Sequence, residues 1–316
     1  MISLKKVTKT LIASLSFSTY VAMADGTGNV LVEPELLQSE VERGAKVIDL
    51  RELTPENELS ILPGATSSPF SSWRGPEQNP GTILSPTRAS KLFGSLGLTP
   101  DDRIILATAG GNNSTFGAAA RATWDLKSFG FNNVAILHGG IAEYQTKSLP
   151  FTDSYRSSSE TSLTLEFSDQ YYAPSSEILA RVEGKNTAQL FDARPATWHN
   201  GQLWHPASKI PGTIEGSTVL DFSSFFERED SSRLKSSSDI SRLLDKANVG
   251  VDNISFCEAG WWSAGNWVLI SQVAGIDGAK LYAEGRVDWT LNDLPQVNVP
   301  TEEEFEALKA KLNKES

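Results

Sequence analysis

The chain has 316 residues and a net charge of −11, with 39% hydrophobic and 21% charged residues. This length accommodates two domains of ordinary size, and the composition is that of a globular rather than a disordered protein. The excess of acidic residues argues against nucleic acid and anionic lipid surfaces as partners. We therefore expect no nucleic-acid partner and no membrane partner.

The first 24 residues have the pattern of an export signal. Three lysines among the first nine residues precede a mostly apolar run, 11–22, which is too short to span a bilayer. Ala22 and Ala24 supply the small residues of a cleavage site. We expect residues 1–24 to be a signal peptide and the mature protein to be periplasmic. An N-terminal helix that is not cleaved is the alternative.

The sequence contains one cysteine, Cys257. A single thiol cannot form an intramolecular disulfide in an oxidising compartment. The side chain is therefore either buried and inert or retained for its reactivity, and its surroundings must decide between the two.

The two halves of the chain repeat the same order of segments. Each half has an apolar run ending in Asp-x-Arg, a Gly-containing turn, a second apolar run, a helical stretch and a closing strand. The paired segments are 47–51 with 190–194, 60–66 with 212–218, 103–107 with 253–257, 117–129 with 263–273, and 134–144 with 279–289.

Alternation of strands and helices predicts a parallel or mostly parallel sheet covered on both faces in each half. A Ser- and Thr-rich stretch separates the halves, and a capping-box pattern at Thr301 starts a helical tail. The expected organisation is a signal peptide (1–24), a first domain (25–146), a linker (147–162), a second domain (163–298) and a C-terminal helix (299–316).

Cys257 ends the apolar strand 253–257 and precedes the helix predicted from Ser263. Unpaired N–H groups at a helix N-terminus favour an anion, so this position favours the nucleophilic thiolate. Gly260 allows the loop to curl so that N–H groups point inward. The alternative is an inert thiol buried at the end of a strand.

At these motifs the chain resembles the tandem-domain rhodanese family of sulfurtransferases, over nearly all of residues 30–295. The motifs that carry the resemblance are Asp192-Ala193-Arg194, His205-Pro206 through Gly216, Cys257-x-x-Gly260-x-x-Ser263-Ala264, Asp49-Leu50-Arg51, Pro63-Gly64-Ala65, Phe116 to Arg121, and Leu137-x-Gly139-Gly140.

The resemblance implies two α/β domains, each a mostly parallel five-stranded sheet flanked by helices. It implies a thiosulfate- or 3-mercaptopyruvate-type sulfurtransferase, in which Cys257 holds a sulfane sulfur as a persulfide and passes it to a thiol or cyanide. No cofactor is expected. The matching loop of the first half, 107–114, contains no Cys, so the first domain is expected to be catalytically inactive.

The loop after Cys257 departs from the family pattern because it contains no Lys or Arg. Glu258 stands beside the thiol and is expected to oppose the thiolate. Trp198 stands where some members have a second Arg, and Trp261 with Trp262 is expected to form a largely apolar mouth, at least one of the two lining the cleft.

The substrate-binding residues predicted with catalytic Cys257 are Arg194, Trp198, Glu258, Ala259, Gly260, Trp261, Trp262 and Ser263. Arg194 either supports the charge of the substrate or forms a structural ion pair with Asp192. His199 and His205 lie in one polar loop without a third ligand, so no metal site is expected. His205 is a candidate base, and Lys209 is the nearest cation in that loop.

Two other functions use related features. Phosphatases of similar loop geometry require an Arg six positions after the Cys, where this chain has Ser263. A non-enzymatic persulfide carrier that serves a protein partner is the second alternative, because the loop lacks cations. The partners expected are a small sulfur-donor anion with a thiol or cyanide acceptor, or a protein sulfur acceptor.

Overall fold

The structure is a computed structural model that describes residues 30–55 and 60–315, with side chains described up to residue 311. The predicted signal peptide, residues 1–24, lies outside the described residues.

The first half of the chain forms a five-stranded sheet in which every pair of neighbouring strands is parallel. The strand order is β1-β5-β4-β2-β3. The strands are β1 (Leu31–Val32), β2 (Lys46–Asp49), β3 (Ala65–Ser67), β4 (Ile104–Ala107) and β5 (Val134–Leu137). The helices of this half are α1 (Leu37–Glu42), α2 (Pro86–Ser95), α3 (Asn113–Ser128) and α4 (Gly140–Thr146).

The second half repeats this architecture with a parallel four-stranded sheet. Its strands are β6 (Gln189–Asp192), β8 (Ser217–Val219), β9 (Asn253–Phe256) and β10 (Ala279–Leu281), in the order β10-β9-β6-β8; β7 (Thr213–Ile214) and β11 (Gln296–Val297) form a separate antiparallel pair. Its helices are α5 (Ser175–Val182), α6 (Ala196–His199), α7 (Ser237–Lys246), α8 (Trp262–Trp267), α9 (Gly285–Leu291) and α10 (Glu302–Glu315).

The two-sheet α/β prediction is confirmed, and the second sheet differs from it in one respect. The place that β1 occupies beside β5 in the first sheet is taken in the second by a single parallel bridge between Tyr172 and Leu281. The chain turns into a 3-10 segment (Asp169–Tyr171) just before this bridge, so the fifth strand is reduced to one pairing.

The repeat is equally visible in the side chains at the ends of β2 and β6. The Asp49 carboxylate accepts the backbone N–H of Arg51 and pairs with its guanidinium at 2.6 Å. Asp192 and Arg194 form the same arrangement, also at 2.6 Å. Both aspartates thus satisfy the backbone just beyond a strand.

The helices that follow β4 and β9 differ in how they begin. Asn112 accepts the N–H of Thr115 with its side chain, so α3 starts four residues before the predicted Gly117. The α8 helix begins at Trp262 without a side-chain cap and continues as a π-helix over Val268–Val273. The two together cover the predicted helix 263–273.

The C-terminal helix α10 has the predicted capping box. The Glu304 N–H donates to the Thr301 hydroxyl, and the Glu304 carboxylate accepts the Thr301 N–H at 2.8 Å. Trp204 packs against Phe305 with ring centroids 5.0 Å apart, which fixes the helix to the second domain.

The predicted linker, 147–162, follows the surface of the first domain. Backbone N–H groups of Thr152, Arg156 and Thr161 donate to carbonyl groups of Ile61, Ala65 and Gly94, respectively. These bonds join the segment to the first domain. None of the helices in the described part of the chain is long and apolar enough to cross a membrane.

One hydrophobic core extends across both halves. Helices α3 and α8 pack against each other, and Phe116 of α3 contacts Phe226 of the second half with ring centroids 5.6 Å apart. Trp73 and Trp267, one from each half, are fully buried members of this core. The loops that precede α3 and α8 are therefore brought together.

Candidate active site

Cys257 lies at the carboxyl end of β9, where the loop to α8 begins. Its side chain is buried, with 3% of the residue exposed. The thiol sulfur accepts the backbone N–H of Gly260 and the hydroxyl of Ser263, each at 3.2 Å. Two donors therefore point at the sulfur, an arrangement that stabilises a thiolate or a persulfide anion.

Gly260 has a conformation and surroundings that only glycine tolerates. Its φ is +79°, in the left-handed region, and a Cβ here would overlap the Ala283 carbonyl oxygen and Nη1 of Arg121. The glycine lets the loop close around the sulfur while α3 of the first domain approaches from the other side.

The start of α9 holds the carbonyl side of the same loop. The N–H of Arg286 donates to the Cys257 carbonyl at 2.9 Å, and the N–H of Val287 donates to the Glu258 carbonyl at 3.0 Å. The loop backbone is thus fixed on both sides, which keeps the sulfur at one position.

The Glu258 carboxylate is held by buried cations and a hydroxyl group beneath the Cys257 loop. Its carboxylate accepts Nη1 of Arg194 at 2.5 Å and the Ser208 hydroxyl at 2.7 Å, and Arg286 lies 3.6 Å away. The negative charge that was expected to oppose the thiolate is therefore paired with buried guanidinium groups. The side chain folds below the loop because two buried guanidinium groups need an anion there.

The Arg194 guanidinium is surrounded by buried anions and a backbone carbonyl group. Arg194 is fully buried, and its guanidinium also pairs with Asp192 and donates to the Gly212 carbonyl at 3.0 Å. The carboxylates of Asp192 and Glu258 raise the pKa of the guanidinium despite its burial. Arg194, with hydrogen bonds from His199 and Thr213, in turn holds the pKa of Asp192 below its usual range, against the effect of burial. The structure does not bring Arg194 to the wall of the cavity, and the ion pair weighed as its alternative is present.

A cavity of about 180 Å³ opens above the sulfur. Its wall contains six of the predicted site residues and three others. The lining residues are Cys257, Glu258, Ala259, Trp198, Trp261 and Trp262, with Arg74, Ser114 and His205. Gly260 and Ser263 contact the sulfur from below and do not line the cavity.

The three tryptophans form the mouth. Trp198 of α6 and Trp262 of α8 meet edge to face with ring centroids 5.8 Å apart, and Trp262 donates its indole N–H to Ser114 at 3.1 Å. Trp261 packs against Phe70 of the first domain at 5.2 Å. Both adjacent tryptophans therefore face the cleft, and the mouth lies between the domains.

Arg74 and Ser114 are site residues that sequence reasoning missed. Ser114 begins α3, directly after the loop that corresponds to the Cys257 loop. Arg74 follows the 3-10 segment Phe70–Trp73, which comes after β3 of the first domain. The repeat itself was the available signal for Ser114, because equivalent loops of a duplicated fold can face each other. No local pattern marked Arg74.

His205 lines the cavity, whereas His199 and Lys209 are used elsewhere. His205 Nδ1 accepts the N–H of Ala207 at 3.1 Å, and burial lowers the pKa of its imidazole. The neutral ring therefore carries its proton on Nε2. His199 contacts Asp192 at 3.0 Å and Lys209 pairs with Asp293 at 2.7 Å. The described residues contain no cluster of three metal-ligating side chains.

Residues 33–147 match the model of the rhodanese-like domain. A thiosulfate sulfurtransferase of Mycobacterium bovis, itself named putative, is 29% identical over 223 residues, covering 66% of this chain and 76% of the relative. The 3-mercaptopyruvate sulfurtransferase of Rattus norvegicus is 25% identical over 217 residues, covering 68% and 71%.

The chain contains a rhodanese-like domain and is a sulfurtransferase similar to those of the rhodanese family. Solved structures agree with the fold of this sulfurtransferase. The Escherichia coli 3-mercaptopyruvate sulfotransferase structure has a TM-score of 0.66 at 23% identity, covering 81% of this chain and 97% of its own. An anaerobic ergothioneine biosynthesis enzyme of Chlorobium limicola has a TM-score of 0.74 at 15% identity, covering 85% and 70%.

Proposed function

We propose that Cys257 is the nucleophile of this sulfurtransferase. It takes a sulfane sulfur from a small anionic donor, such as thiosulfate or 3-mercaptopyruvate, and passes it to a thiol or cyanide. The observation that supports this most directly is the position of the sulfur. It lies at the floor of a cavity and accepts hydrogen bonds from Gly260 and Ser263.

With thiosulfate, the Cys257 thiolate attacks the outer sulfur atom of the donor. A new S–S bond forms to Cys257, the S–S bond of the donor breaks, and sulfite leaves with the electron pair. With 3-mercaptopyruvate, the carbon–sulfur bond breaks and the enolate of pyruvate leaves, taking up the thiol proton. The acceptor then attacks the outer sulfur of the persulfide and restores the Cys257 thiolate.

The donors at the sulfur support both steps of this reaction. The N–H of Gly260 and the hydroxyl of Ser263 stabilise the attacking thiolate and the thiolate that leaves in the second step. His205 places a neutral imidazole in the same cavity, where its Nε2–H can donate a hydrogen bond to the oxygen of a leaving enolate.

The choice of donors is supported by the names of the relatives. Those described above include proteins named for thiosulfate and for 3-mercaptopyruvate, and both are anions of a size that a cavity of about 180 Å³ suits. A thiol group on a protein is the alternative acceptor, because the mouth between the two domains opens to the surface.

We also propose that the first domain performs no thiol chemistry, because residues 107–114 contain no Cys. The boundaries 25–146, 147–162, 163–298 and 299–316 remain the proposed division of the chain. The pattern of residues 1–24 supports export to the periplasm, which fractionation of cells producing the full chain will test.

The test is mass spectrometry of the protein after incubation with thiosulfate or 3-mercaptopyruvate. We expect the mass of one additional sulfur atom on Cys257, removed by cyanide with release of thiocyanate. Cys257→Ser should show neither the added mass nor turnover. Absence of the added mass with both donors, or turnover by Cys257→Ser, would refute the proposal.

A further inference from the structure

The active-site loop holds no cation that is available to a donor. Arg194 and Arg286 are the guanidinium groups beneath it, and both are fully buried beside Glu258. Neither lines the cavity. An anionic sulfur donor that enters the cavity must therefore find its positive charge elsewhere.

Arg74 of the first domain provides a cation in the wall of this cavity. Its guanidinium carbon lies 4.2 Å from the centroid of the Trp261 ring, which fixes the group at the mouth. Arg74 forms no salt bridge within residues 30–55 and 60–315, and its Nε is buried without a hydrogen-bond partner.

The surroundings of Arg74 favour an anion. Burial and the neighbouring guanidinium of Arg121 both lower the pKa of Arg74, which means that its charge is incompletely compensated, although Glu52 acts in the opposite direction. A partly desolvated cation without an ion pair is costly, and an anionic ligand removes that cost. His205 faces the same cavity as a neutral group and adds no charge.

Most of the remaining wall is apolar. Ser114 and Glu258 also line it, and the Glu258 carboxylate is paired with Arg194. Ala259 and the indoles of Trp198, Trp261 and Trp262 surround the space between Arg74 and the sulfur. A small organic anion, which combines a negative group with an apolar portion, suits these surroundings better than an inorganic anion does.

We propose that Arg74 binds the anionic group of the sulfur donor, so that the first domain completes the substrate site of the second. The donor class that this site takes is a small organic anion whose apolar portion contacts Trp198 and Trp262. The inference rests on the proposed function in so far as the bound anion is a sulfur donor. The binding of an anion above Cys257 is independent of sulfur transfer.

The test compares two alkylating probes of Cys257 that differ in charge. In each case the thiolate displaces iodide and a carbon–sulfur bond forms, but iodoacetate is an anion and iodoacetamide is neutral. We expect wild-type protein to react with iodoacetate preferentially. Arg74→Met should lower the rate ratio of iodoacetate to iodoacetamide about tenfold, and Arg74→Lys should retain most of it.

Arg43→Met is the matched control. It removes the same charge from the first domain, but the Arg43 side chain is 65% exposed and lies near the start of β2, at the opposite end of the sheet. Its ratio should equal that of the wild type. A ratio in Arg74→Met that equals the Arg43→Met value overturns the proposal.

A second measurement covers the case in which Arg74→Met does not fold. In the wild type, added salt should slow iodoacetate more than iodoacetamide, and Arg74→Lys should show the same dependence. Equal salt dependence for both probes overturns the proposal. Because alkylation requires no sulfur donor, the inference can succeed where the persulfide test fails, and the two failures are distinguishable.

Discussion

The Glu258 carboxylate lies 2.5 Å from Nη1 of Arg194, beneath the loop that carries Cys257. This pair links the Asp-x-Arg motif after β6 to the active-site loop after β9. The acidic residue next to Cys257 is thus paired with a buried cation beneath the loop.

The first prediction concerns this ion pair. Glu258→Lys should destabilise the protein by roughly 3 to 5 kcal/mol, because it places a third cation beside Arg194 and Arg286. It should not raise thiosulfate turnover, because the Glu258 charge is already paired with Arg194. Urea denaturation and turnover with thiosulfate are the measurements, and Glu215→Lys, at an exposed position, is the control. Increased turnover with unchanged stability would contradict the role described here.

The second prediction concerns the shape of the loop. Gly260→Ala should abolish most of the sulfurtransferase activity and lower stability, because the new methyl group overlaps the Ala283 carbonyl and the Arg121 guanidinium. Gly184→Ala is the matched control. Gly184 also has a positive φ, +73°, but has open space around it, so only about 1 to 2 kcal/mol for the left-handed backbone should be lost. Equal losses at both positions would mean that close packing is not the cause.

The third prediction concerns the hydroxyl group beside the nucleophile. Ser263→Ala should slow persulfide formation on Cys257 by about tenfold or more, since a hydrogen bond to a charged sulfur is lost. Rapid-quench mass spectrometry in a single turnover measures this step directly. Ser271→Ala removes a hydroxyl that is bonded to the Trp267 carbonyl and the Gln272 amide, and not to the sulfur, so it should leave the rate unchanged. A Ser263→Ala rate equal to that of wild type would exclude the hydroxyl from the reaction.

The fourth prediction concerns pH. Burial raises the pKa of Asp125 to about 6, while Arg121 opposes the increase. The folded protein therefore binds a proton more tightly than the unfolded chain, and its free energy of unfolding falls as pH rises from about 4 to about 6. Asp125→Asn removes this contribution. Between about pH 4 and about pH 6, the free energy of unfolding of Asp125→Asn should rise by roughly 1 to 3 kcal/mol relative to that of the wild type. Urea denaturation at several pH values measures this difference. A difference that does not change with pH would contradict the raised pKa.

The sequence allowed the duplicated α/β fold, the strand–loop–helix setting of Cys257 and the tryptophan mouth to be predicted. These features depend on local patterns that recur at the same positions in both halves. The conformation of Gly260 was also anticipated, because only a glycine permits that turn.

The orientation of Glu258 and the presence of Arg74 in the site could not be predicted in the same way. Whether a carboxylate faces a cavity or a buried guanidinium depends on packing between β6, β9 and α9, which no local pattern encodes. Arg74 reaches the site only because β3 of one domain ends near the loop of the other. The reduction of the fifth strand to the Tyr172 bridge follows from the 3-10 segment Asp169–Tyr171, which no sequence pattern indicated.

The continuous core across the domain interface has a consequence for how the protein unfolds. Phe116 and Trp73 of the first half belong to the same buried cluster as Phe226 and Trp267 of the second. If one half unfolded alone, the other would expose this apolar surface to water, which costs free energy. The two halves should therefore unfold together. A duplicated chain of this kind should lose its structure in one cooperative transition.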